Sequence, residues 1–247
     1  MAKSRLDLLL VARGLTPTRE RARALILAGH VSVGGQQVTK AGTAIADDAD
    51  ITLRQADHPW VSRGGLKLDH ALRVFGIDVT GVMALDIGAS TGGFTDVLLA
   101  RGAARVVALD VGSGQLDWRL RTDPRVTCIE NVNARYLTPD QLPPDARHFA
   151  IVTIDASFIS LAHLLPVVPP LLELSGRVVV LVKPQFEAGR REVGAGGIVR
   201  DPDIHARVIE TVADVALRVG LTRLNVEPSP VTGAEGNREF LMLLARP

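Results

Sequence analysis

From about residue 63 onward, the chain alternates short apolar runs with longer segments that carry apolar residues on one helical face. Amphipathic helices are predicted at 66–75, 93–100 and 204–219. Strands that alternate with helices are typical of a parallel sheet covered on both faces. Two final runs, at 221–226 and 239–244, have no helix between them and predict an antiparallel hairpin at a sheet edge. The other apolar runs predict five buried strands, at 82–86, 106–110, 126–129, 150–154 and 177–182.

The first part of the chain has a different pattern, which predicts a separate small module. A helical apolar pattern over 5–13 is followed by a second helix over 19–28, for which Thr18 is a suitable N-cap. Alternating valines on either side of a glycine pair predict a hairpin over 31–38. A short apolar run at 51–53 predicts a last strand. These elements together indicate a small α+β fold.

Domain boundaries follow from the point where the two patterns meet. A His-Pro-Trp sequence that ends at Trp60 separates them, and proline interrupts a helix there. We therefore predict a small module over 1–57, a linker over 58–62 and an α/β domain over 63–247. A length of 247 residues agrees with one full-sized domain and one small domain.

The composition indicates a folded protein rather than a disordered or disulfide-stabilised one. Hydrophobic residues make up 47% of the chain and charged residues 22%, which is sufficient for a packed core. Cys128 is the single cysteine, so no internal disulfide can form and no oxidising compartment is indicated. No apolar run reaches the roughly 18 residues of a membrane helix, and no signal-peptide core is visible. We therefore expect a soluble, cytoplasmic protein.

Positive charge is concentrated at the start of the chain, although the net charge is only +1. Residues 1–30 hold six cations against two anions. A local basic face of this kind can bind nucleic-acid phosphates, and Arg19 and Arg23 lie one helical turn apart on the same face. A merely solvated helix face explains the same pattern. The candidate RNA-binding residues are Arg5, Arg13, Arg19, Arg21 and Arg23.

A glycine-rich turn follows the first strand of the larger domain. The sequence MALDIGASTGGF, at 83–94, presents Asp86 and then a G-x-x-x-G-G spacing that begins at Gly88. This spacing differs from the G-x-G-x-x-G of nicotinamide-binding folds, and no Lys-Ser/Thr pair follows it as in a P-loop. An acid before the turn suits a cationic ligand, and Asp110 ends the next strand, where a ribose-binding carboxylate belongs. These features favour S-adenosylmethionine over a purely structural turn.

Four charged residues lie where the local pattern predicts burial, namely Lys67, Asp155, Lys183 and Glu239. Ligands bind beyond the carboxyl ends of parallel strands, so Asp155 and Lys183 are expected at the active edge of the sheet. Ordinary surface ion pairs would explain Lys67 or Glu239 taken alone. A lysine that ends an apolar run and precedes a proline, as Lys183 does, is hard to explain by packing.

Specific motifs also carry a resemblance to known families. Residues 5–53 resemble an S4-type RNA-binding domain in an opening R-L-D, an R-x-x-A-x-x-L-I helix and a G-H-V-x-V-x-G turn. The rest resembles the FtsJ/RrmJ-type 2′-O-ribose methyltransferases. The two parts joined, with VSRGGLKLDHAL, ALDIGASTGGFTDVLL, DASFISL and VKPQFE, closely resemble the TlyA family over nearly the whole chain.

The resemblance implies both a fold and an activity. The fold is a Rossmann-like α/β methyltransferase domain, with a seven-stranded, mostly parallel sheet and a C-terminal antiparallel hairpin, preceded by a small α+β S4 domain. The activity is transfer of a methyl group from S-adenosylmethionine to the ribose 2′-hydroxyl of a cytidine in ribosomal RNA. Some members of the family carry an older haemolysin label.

The resemblance further assigns roles to individual residues. The family's Lys-Asp-Lys-Glu catalytic set falls on the four charged residues selected above. The family's adenine-binding segment usually reads Glu-Arg-Thr-Asn, where this chain has Glu130-Asn131-Val132-Asn133. The implied cofactor-binding residues are Asp86, Gly88, Ser90, Thr91, Gly92, Gly93, Phe94, Asp110, Val111, Asn133 and Ala134.

Methyl transfer to a ribose hydroxyl needs in-line attack by a weak nucleophile, which the site must align and deprotonate. Lys183, with Lys67 beside it, either accepts the proton as a neutral amine or only positions the hydroxyl, and the sequence leaves both roles open. Asp155 and Glu239 would orient the two lysines. The histidines form no ligand spacing with Cys128, so no metal is expected.

Ribosomal RNA or a ribosomal subunit is the expected partner, without a membrane partner. The short termini resemble family members that modify only the large subunit, with its 23S rRNA, and 16S rRNA is the alternative. Four other classes stay open: a methyltransferase for small molecules or proteins, an RNA-binding ribosome-assembly protein, a membrane-acting haemolysin and a nicotinamide-dependent enzyme. The basic module argues against the first and Lys183 at a strand end against the second. The lack of a spanning apolar run argues against the third, and the glycine spacing against the fourth.

Overall fold

A computed structural model describes residues 3–16, 18–27, 29–53, 58–233 and 236–246. Internal contacts divide the chain into two compact units, Met1–Pro59 and Trp60–Pro247. Among the helices in the described part of the chain, none is long and apolar enough to cross a membrane.

The smaller unit packs two short helices against short strands. Its core consists of Leu6, Leu10, Ala22, Ile26 and Val31, all with no exposed surface. The elements are β1 (Lys3–Arg5), α1 (Leu6–Ala12), α2 (Arg19–Leu27), β2 (Val31–Val33), β3 (Gln36–Gln37), β4 (Ala44–Ala46) and β5 (Ile51–Leu53). Strands β1 and β4 form one antiparallel pair, and a second sheet has the order β3-β2-β5.

One predicted boundary in this unit needs correction. The first helix begins at Leu6 instead of residue 5, because the preceding residues pair with β4 as a strand that the apolar pattern does not reveal. The predicted end of the second helix, Ala28, lies outside the described residues, as do 54–57 at the predicted domain boundary. The predicted cap is present, since Oγ1 of Thr18 accepts the amide hydrogen of Arg21 at 3.2 Å.

In its described residues, the larger unit contains five α-helices and a seven-stranded sheet. The helices are α3 (Gly64–Val74), α4 (Gly93–Ala100), α5 (Trp118–Arg121), α6 (Pro184–Glu187) and α7 (Pro202–Arg218). The strands are β6 (Met83–Ile87), β7 (Arg105–Leu109), β8 (Val126–Ile129), β9 (Phe149–Ile154), β10 (Leu172–Val182), β11 (Thr222–Pro228) and β12 (Phe240–Ala245).

The strand order in this sheet is β11-β12-β10-β9-β6-β7-β8. The five strands from β10 to β8 are parallel, and β12 is antiparallel to both of its neighbours. The predicted α/β fold and its terminal hairpin are therefore confirmed.

Two crossovers depart from the predicted alternation of strands and helices. Between β8 and β9 the chain forms two short 3₁₀ turns. Between β9 and β10 the chain forms three short 3₁₀ turns instead of an α-helix. Pro166, Pro169 and Pro170 fall in this segment, and proline lacks the amide hydrogen that a continuous helix needs. Strand β10 also starts earlier than predicted, at Leu172, with a register shift before Arg177.

Part of the predicted linker at 58–62 packs into the larger unit. Val61 is buried in the cluster between the sheet and α3, and its amide donates to Asp96 at 2.9 Å. A Cβ atom on Gly65 would come within 2.4 Å of the Trp60 side chain, so the tryptophan lies directly against the start of α3. These contacts explain why the division of the chain falls after Pro59.

Candidate active site

A cavity of ≈ 660 Å³ opens at the carboxyl edge of the sheet, where β6, β9 and β10 end. The turn after β6 and the starts of α3 and α4 form one wall. The loops after β9 and β10 and the segment before β12 complete it. All four charged residues selected from the sequence line this cavity, namely Lys67, Asp155, Lys183 and Glu239.

The first ion pair joins the ends of two neighbouring strands. Asp155 follows β9 directly, and Lys183 follows β10 and precedes a proline. Nζ of Lys183 lies 2.6 Å from Oδ1 of Asp155 and also donates to Oγ of Ser157 at 2.9 Å. Because β9 and β10 are adjacent and parallel, their carboxyl ends place the two side chains together.

The second ion pair is more deeply buried. Nζ of Lys67, on α3, donates to Oε2 of Glu239, just before β12, at 2.6 Å, and the two side chains are only 10% and 3% exposed. The predicted four residues thus meet as two lysine–carboxylate pairs. Each lysine has its own anionic partner, a pairing that the sequence did not specify.

The glycine turn after β6 packs closely against protein atoms as well as lining the cavity. Gly88 has φ +82°, and a Cβ atom there would come within 2.6 Å of the backbone oxygen of Asp155. A Cβ atom on Gly92, which has φ +95°, would meet Leu120 at 2.2 Å. Gly92 therefore makes room for a leucine of α5, and its contact with a cofactor stays a prediction. Of the predicted cofactor residues, Gly88, Ser90, Thr91, Gly93 and Phe94 line the cavity.

Asp86 has a different place from the one that the sequence suggested. Its carboxylate is fully buried and accepts hydrogen bonds from Oγ1 of Thr95 at 2.7 Å and Oγ1 of Thr153 at 2.9 Å. Burial raises the pKa of Asp86 to about 6, against the effect of the two threonine hydroxyls. Asp86 therefore joins β6 to α4 and β9 and does not line the cavity, which corrects its predicted role as a direct partner of a cationic ligand.

We expect Asp86→Asn to stabilise the protein at pH 8. A raised pKa in the folded state gives a stability contribution that is complete below the ordinary pKa of 3.8 and is lost as the pH rises through 6. Ionised Asp86 therefore costs about 3 kcal/mol at pH 8, which the neutral amide avoids. Urea unfolding should show a gain of that order at pH 8 and little difference below pH 4. Exposed Asp78, whose pKa is lowered by hydrogen bonds from Thr80, is the control: Asp78→Asn should give no gain at pH 8.

The predicted nucleoside-binding residues lie farther along the same sheet edge, beyond β7 and β8. Both carboxylate oxygens of Asp110 accept backbone amides, from Ser90 at 2.8 Å and Gly112 at 2.7 Å. Val111 is 68% exposed. Oδ1 of Asn133 accepts the amide hydrogen of Arg135 at 3.0 Å and caps the turn that contains buried Ala134. None of Asp110, Val111, Asn133 and Ala134 lines the described cavity wall.

Several cavity residues were not found from the sequence. Ser157 contacts Lys183, and Phe158 is 92% exposed with a left-handed φ of +64°. Arg63 lies at the start of α3, and Oε1 of Gln185 is buried without a hydrogen-bond partner. Ser157 and Phe158 lie in the DASF segment, but no pattern in the sequence distinguishes a loop serine that contacts a lysine from one that contacts water.

The candidate RNA-binding arginines of the smaller unit divide into two groups. Arg5 and Arg19 both donate to buried Asp7, at 3.0 and 2.9 Å, and these bonds hold the pKa of Asp7 well below its ordinary value. Arg13 donates to the backbone oxygens of Ala49 and Asp47. Arg5, Arg13 and Arg19 thus have partners within the smaller unit, and the grip of Arg19 with Arg23 on a phosphate stays a prediction. Arg23 is exposed and Arg21 is half-buried on α2.

Within the described residues, no group of three or more His, Cys, Asp or Glu side chains is placed to hold a metal ion. The side chains that gather in the cavity are instead lysines paired with carboxylates.

Comparisons with known proteins agree with both units. A family model for FtsJ-like methyltransferase matches residues 60–246, and one for the S4 domain matches residues 4–51. The chain is 46% identical over 243 residues to the 16S/23S rRNA (cytidine-2′-O)-methyltransferase TlyA of Mycobacterium tuberculosis, covering 98% of this chain and 90% of that protein. It is 40% identical over 237 residues to Hemolysin A of Brachyspira hyodysenteriae, covering 96% and 98%.

Solved structures give the same result. A Streptococcus thermophilus protein, described as a candidate hemolysin, matches with a TM-score of 0.77 and 45% identity over 100% of this chain and 89% of that one. An S-adenosylmethionine dependent methyltransferase from Mesorhizobium loti, at 20% identity and a TM-score of 0.54, shares the fold over 72% of this chain and 96% of that one. The chain therefore belongs to the TlyA family of FtsJ-like methyltransferases, in which an S4 domain precedes the methyltransferase domain.

Proposed function

We propose that this protein transfers a methyl group from S-adenosylmethionine to the ribose 2′-hydroxyl of a cytidine in ribosomal RNA. The observation that carries the proposal is the meeting of Lys67–Glu239 and Lys183–Asp155 beside a glycine turn in one cavity. The S4 domain and the activity for which the Mycobacterium tuberculosis relative is named support RNA as the substrate. In this proposal residues 1–57 bind RNA, 63–247 carry the reaction, and the enzyme acts on ribosomal subunits in the cytoplasm.

The cavity and the adjoining sheet edge fit S-adenosylmethionine. Several residues of the turn at 88–94 adopt positive φ angles, and the turn places its backbone atoms at the cavity wall. Asp110 directly follows β7, and two backbone amides orient its carboxylate. Its remaining lone pairs can accept hydrogen bonds from ribose hydroxyls. Val111, Asn133 and Ala134 would flank the adenine. When bound, the cofactor supplies an electrophilic methyl group on a sulfonium.

The two ion pairs prepare the site for a ribose hydroxyl. Lys183 and Asp155 would hold the hydroxyl and accept or share its proton, while Lys67 and Glu239 form the opposite side of the polar cavity. Both pairs are largely shielded from water, which strengthens their electrostatic effect on the reacting oxygen. The target nucleotide must leave its base stack if it lies in a helix, because the reacting residues are inside a cavity.

The direct test is mass mapping of ribose methylation after incubation of purified protein with S-adenosylmethionine and unmodified ribosomal subunits. We expect a 2′-O-methylcytidine in 23S rRNA, and the small subunit is assayed in parallel because the relative above is named for both. Stripped rRNA, a protein mixture and small-molecule extracts serve as competing substrates. Methylation of protein or small molecules without any in rRNA would contradict the proposal, and so would protein that binds rRNA but transfers no methyl group.

We expect Asp110→Ala to weaken S-adenosylmethionine binding. The substitution removes charge-assisted hydrogen bonds worth about 1.5–3 kcal/mol each, so the dissociation constant should rise by roughly 10- to 150-fold per lost bond. The matched control is Asp123→Ala, because Asp123 also accepts a backbone amide but lies at the start of β8 away from the cavity. Calorimetric titration compares the two variants. Equal affinities for both variants and the wild type would exclude Asp110 as a cofactor ligand.

A double change of Arg21 and Arg23 to Ala should weaken rRNA binding and reduce its salt dependence. Each lost phosphate contact lowers the slope of log K against log salt by roughly 0.7–0.9. Arg19 is kept, because its removal would deprive buried Asp7 of a partner and confuse binding with folding. Filter binding between 50 and 300 mM salt measures the slope, and cofactor affinity should stay unchanged. An unaltered slope would mean that this helix face is only solvated.

A further inference from the structure

Two acceptors hold the terminal amine of Lys183 in one orientation. Nζ lies 2.6 Å from Oδ1 of Asp155 and donates to Oγ of Ser157 at 2.9 Å. A lysine nitrogen has three tetrahedral positions besides its bond to carbon. With two of them directed at fixed oxygens, the direction of the third is determined as well. Lys67 differs, because Glu239 is its one hydrogen-bond acceptor among the described residues.

The loop at 155–161 is anchored to the segment that carries Lys183. Oγ of Ser160 donates to one carboxylate oxygen of Glu187 at 2.6 Å, and the amide of Leu161 donates to the other at 2.7 Å. Glu187 ends α6, which begins directly after Lys183. The loop and the lysine are therefore joined twice, once through the amine and once through this carboxylate. Such double anchoring fixes the distance between them.

Backbone strain in this loop coincides with the contact to Lys183. Phe158 has φ +64°, in the left-handed region that bulky residues rarely adopt, and its side chain is exposed. Core packing therefore does not explain the conformation. The residue before it, Ser157, lies in the cavity wall with its hydroxyl on Lys183. Strain that surrounding contacts maintain is typical of functional sites.

We propose that Ser157 is a positioning residue for methyl transfer, which accepts a hydrogen bond from Lys183 and so directs the remaining position of its nitrogen at the target hydroxyl. This inference rests on the function proposed above. It holds whether the remaining position carries a lone pair that accepts the proton or an N–H that orients the oxygen. Because Ser157 sets an orientation, its loss lowers turnover and leaves substrate affinity unchanged.

Steady-state kinetics of three serine variants test the role. Ser157→Ala should lower kcat by roughly 10- to 100-fold, with KM for rRNA and for S-adenosylmethionine within about twofold of wild type. Ser157→Thr keeps the hydroxyl and should recover kcat to within about fivefold of wild type. Ser175→Ala, at the exposed opposite end of β10, is the matched control and should leave both constants unchanged.

A second readout is independent of turnover. In ¹⁵N spectra of the lysine side chains recorded in acidic buffer, wild type should show a slowly exchanging Lys183 ammonium signal, assigned by its absence in Lys183→Arg. The signal should be lost in Ser157→Ala and kept in Ser157→Thr. A kcat near wild type in Ser157→Ala, equal losses in the Ala and Thr variants, or a signal that Ser157→Ala leaves unchanged would overturn the proposal. Wild type that methylates no rRNA would instead refute the function itself, while the ¹⁵N signal still decides the orientation.

Discussion

Lys183→Ala should lower turnover by about 10²–10⁴ while S-adenosylmethionine binding persists. That loss is the usual worth of a positioned proton-transfer group and corresponds to roughly 2.7–5.5 kcal/mol of transition-state stabilisation. The fold should stay intact, because Lys183 ends a strand inside a polar cavity and its removal opens no space in the apolar core. Single-turnover assays on ribosomal subunits measure the effect, and calorimetry measures cofactor affinity.

The Arg variant at the same position separates the two roles that the sequence left open. Arginine stays protonated and cannot accept a proton, so Lys183→Arg should be as inactive as Lys183→Ala if the lysine is a base. If the lysine only positions the hydroxyl, the arginine should restore part of the activity. A rate that rises with pH until the lysine has lost its proton would support the base. Full activity in Lys183→Ala would remove Lys183 from the mechanism.

Glu239→Ala should destabilise the larger unit by about 3–5 kcal/mol, because it leaves the buried ammonium of Lys67 without a partner. A pair of similar volume but without charge, Lys67→Met with Glu239→Leu, should recover most of that stability, because no buried charge is left unpaired. Urea unfolding of Lys67→Met, of Glu239→Leu and of the double variant measures the coupling between the side chains.

The activity of the double variant decides whether this pair is structural or functional. We expect it to be stable but to methylate rRNA at least about 100-fold more slowly than wild type, since the cavity loses the charges of Lys67 and Glu239. Arg101 and Asp69, an ion pair between α4 and α3 with a half-exposed arginine, provide the control, and their double replacement by alanine should leave turnover unchanged. A stable double variant with wild-type turnover would limit Lys67 and Glu239 to a structural role.

The sequence predicted the α/β fold because burial on both faces of a parallel sheet leaves continuous apolar runs that can be counted along the chain. It failed on element type at the crossovers after β8 and β9, which form 3₁₀ turns, and in the second of them three prolines outweighed the expected helix. In the smaller unit, β1 was missed because a three-residue strand next to a helix carries too little pattern.

The site was predicted in part. The sequence alone identified Lys67, Asp155, Lys183 and Glu239, because a charge at an apolar position is visible in one dimension and a parallel sheet gathers its strand ends at one edge. Only the tertiary structure decided which lysine pairs with which carboxylate. Lys67 and Glu239 are 172 residues apart in the chain, and Asp155 and Lys183 follow two different strands that are adjacent only in the folded sheet. The structure also shows that Asp86 does not line the cavity and that Arg19 donates a hydrogen bond to Asp7. Side-chain direction and hydrogen-bond partners depend on packing between distant segments, and local sequence patterns do not record that packing.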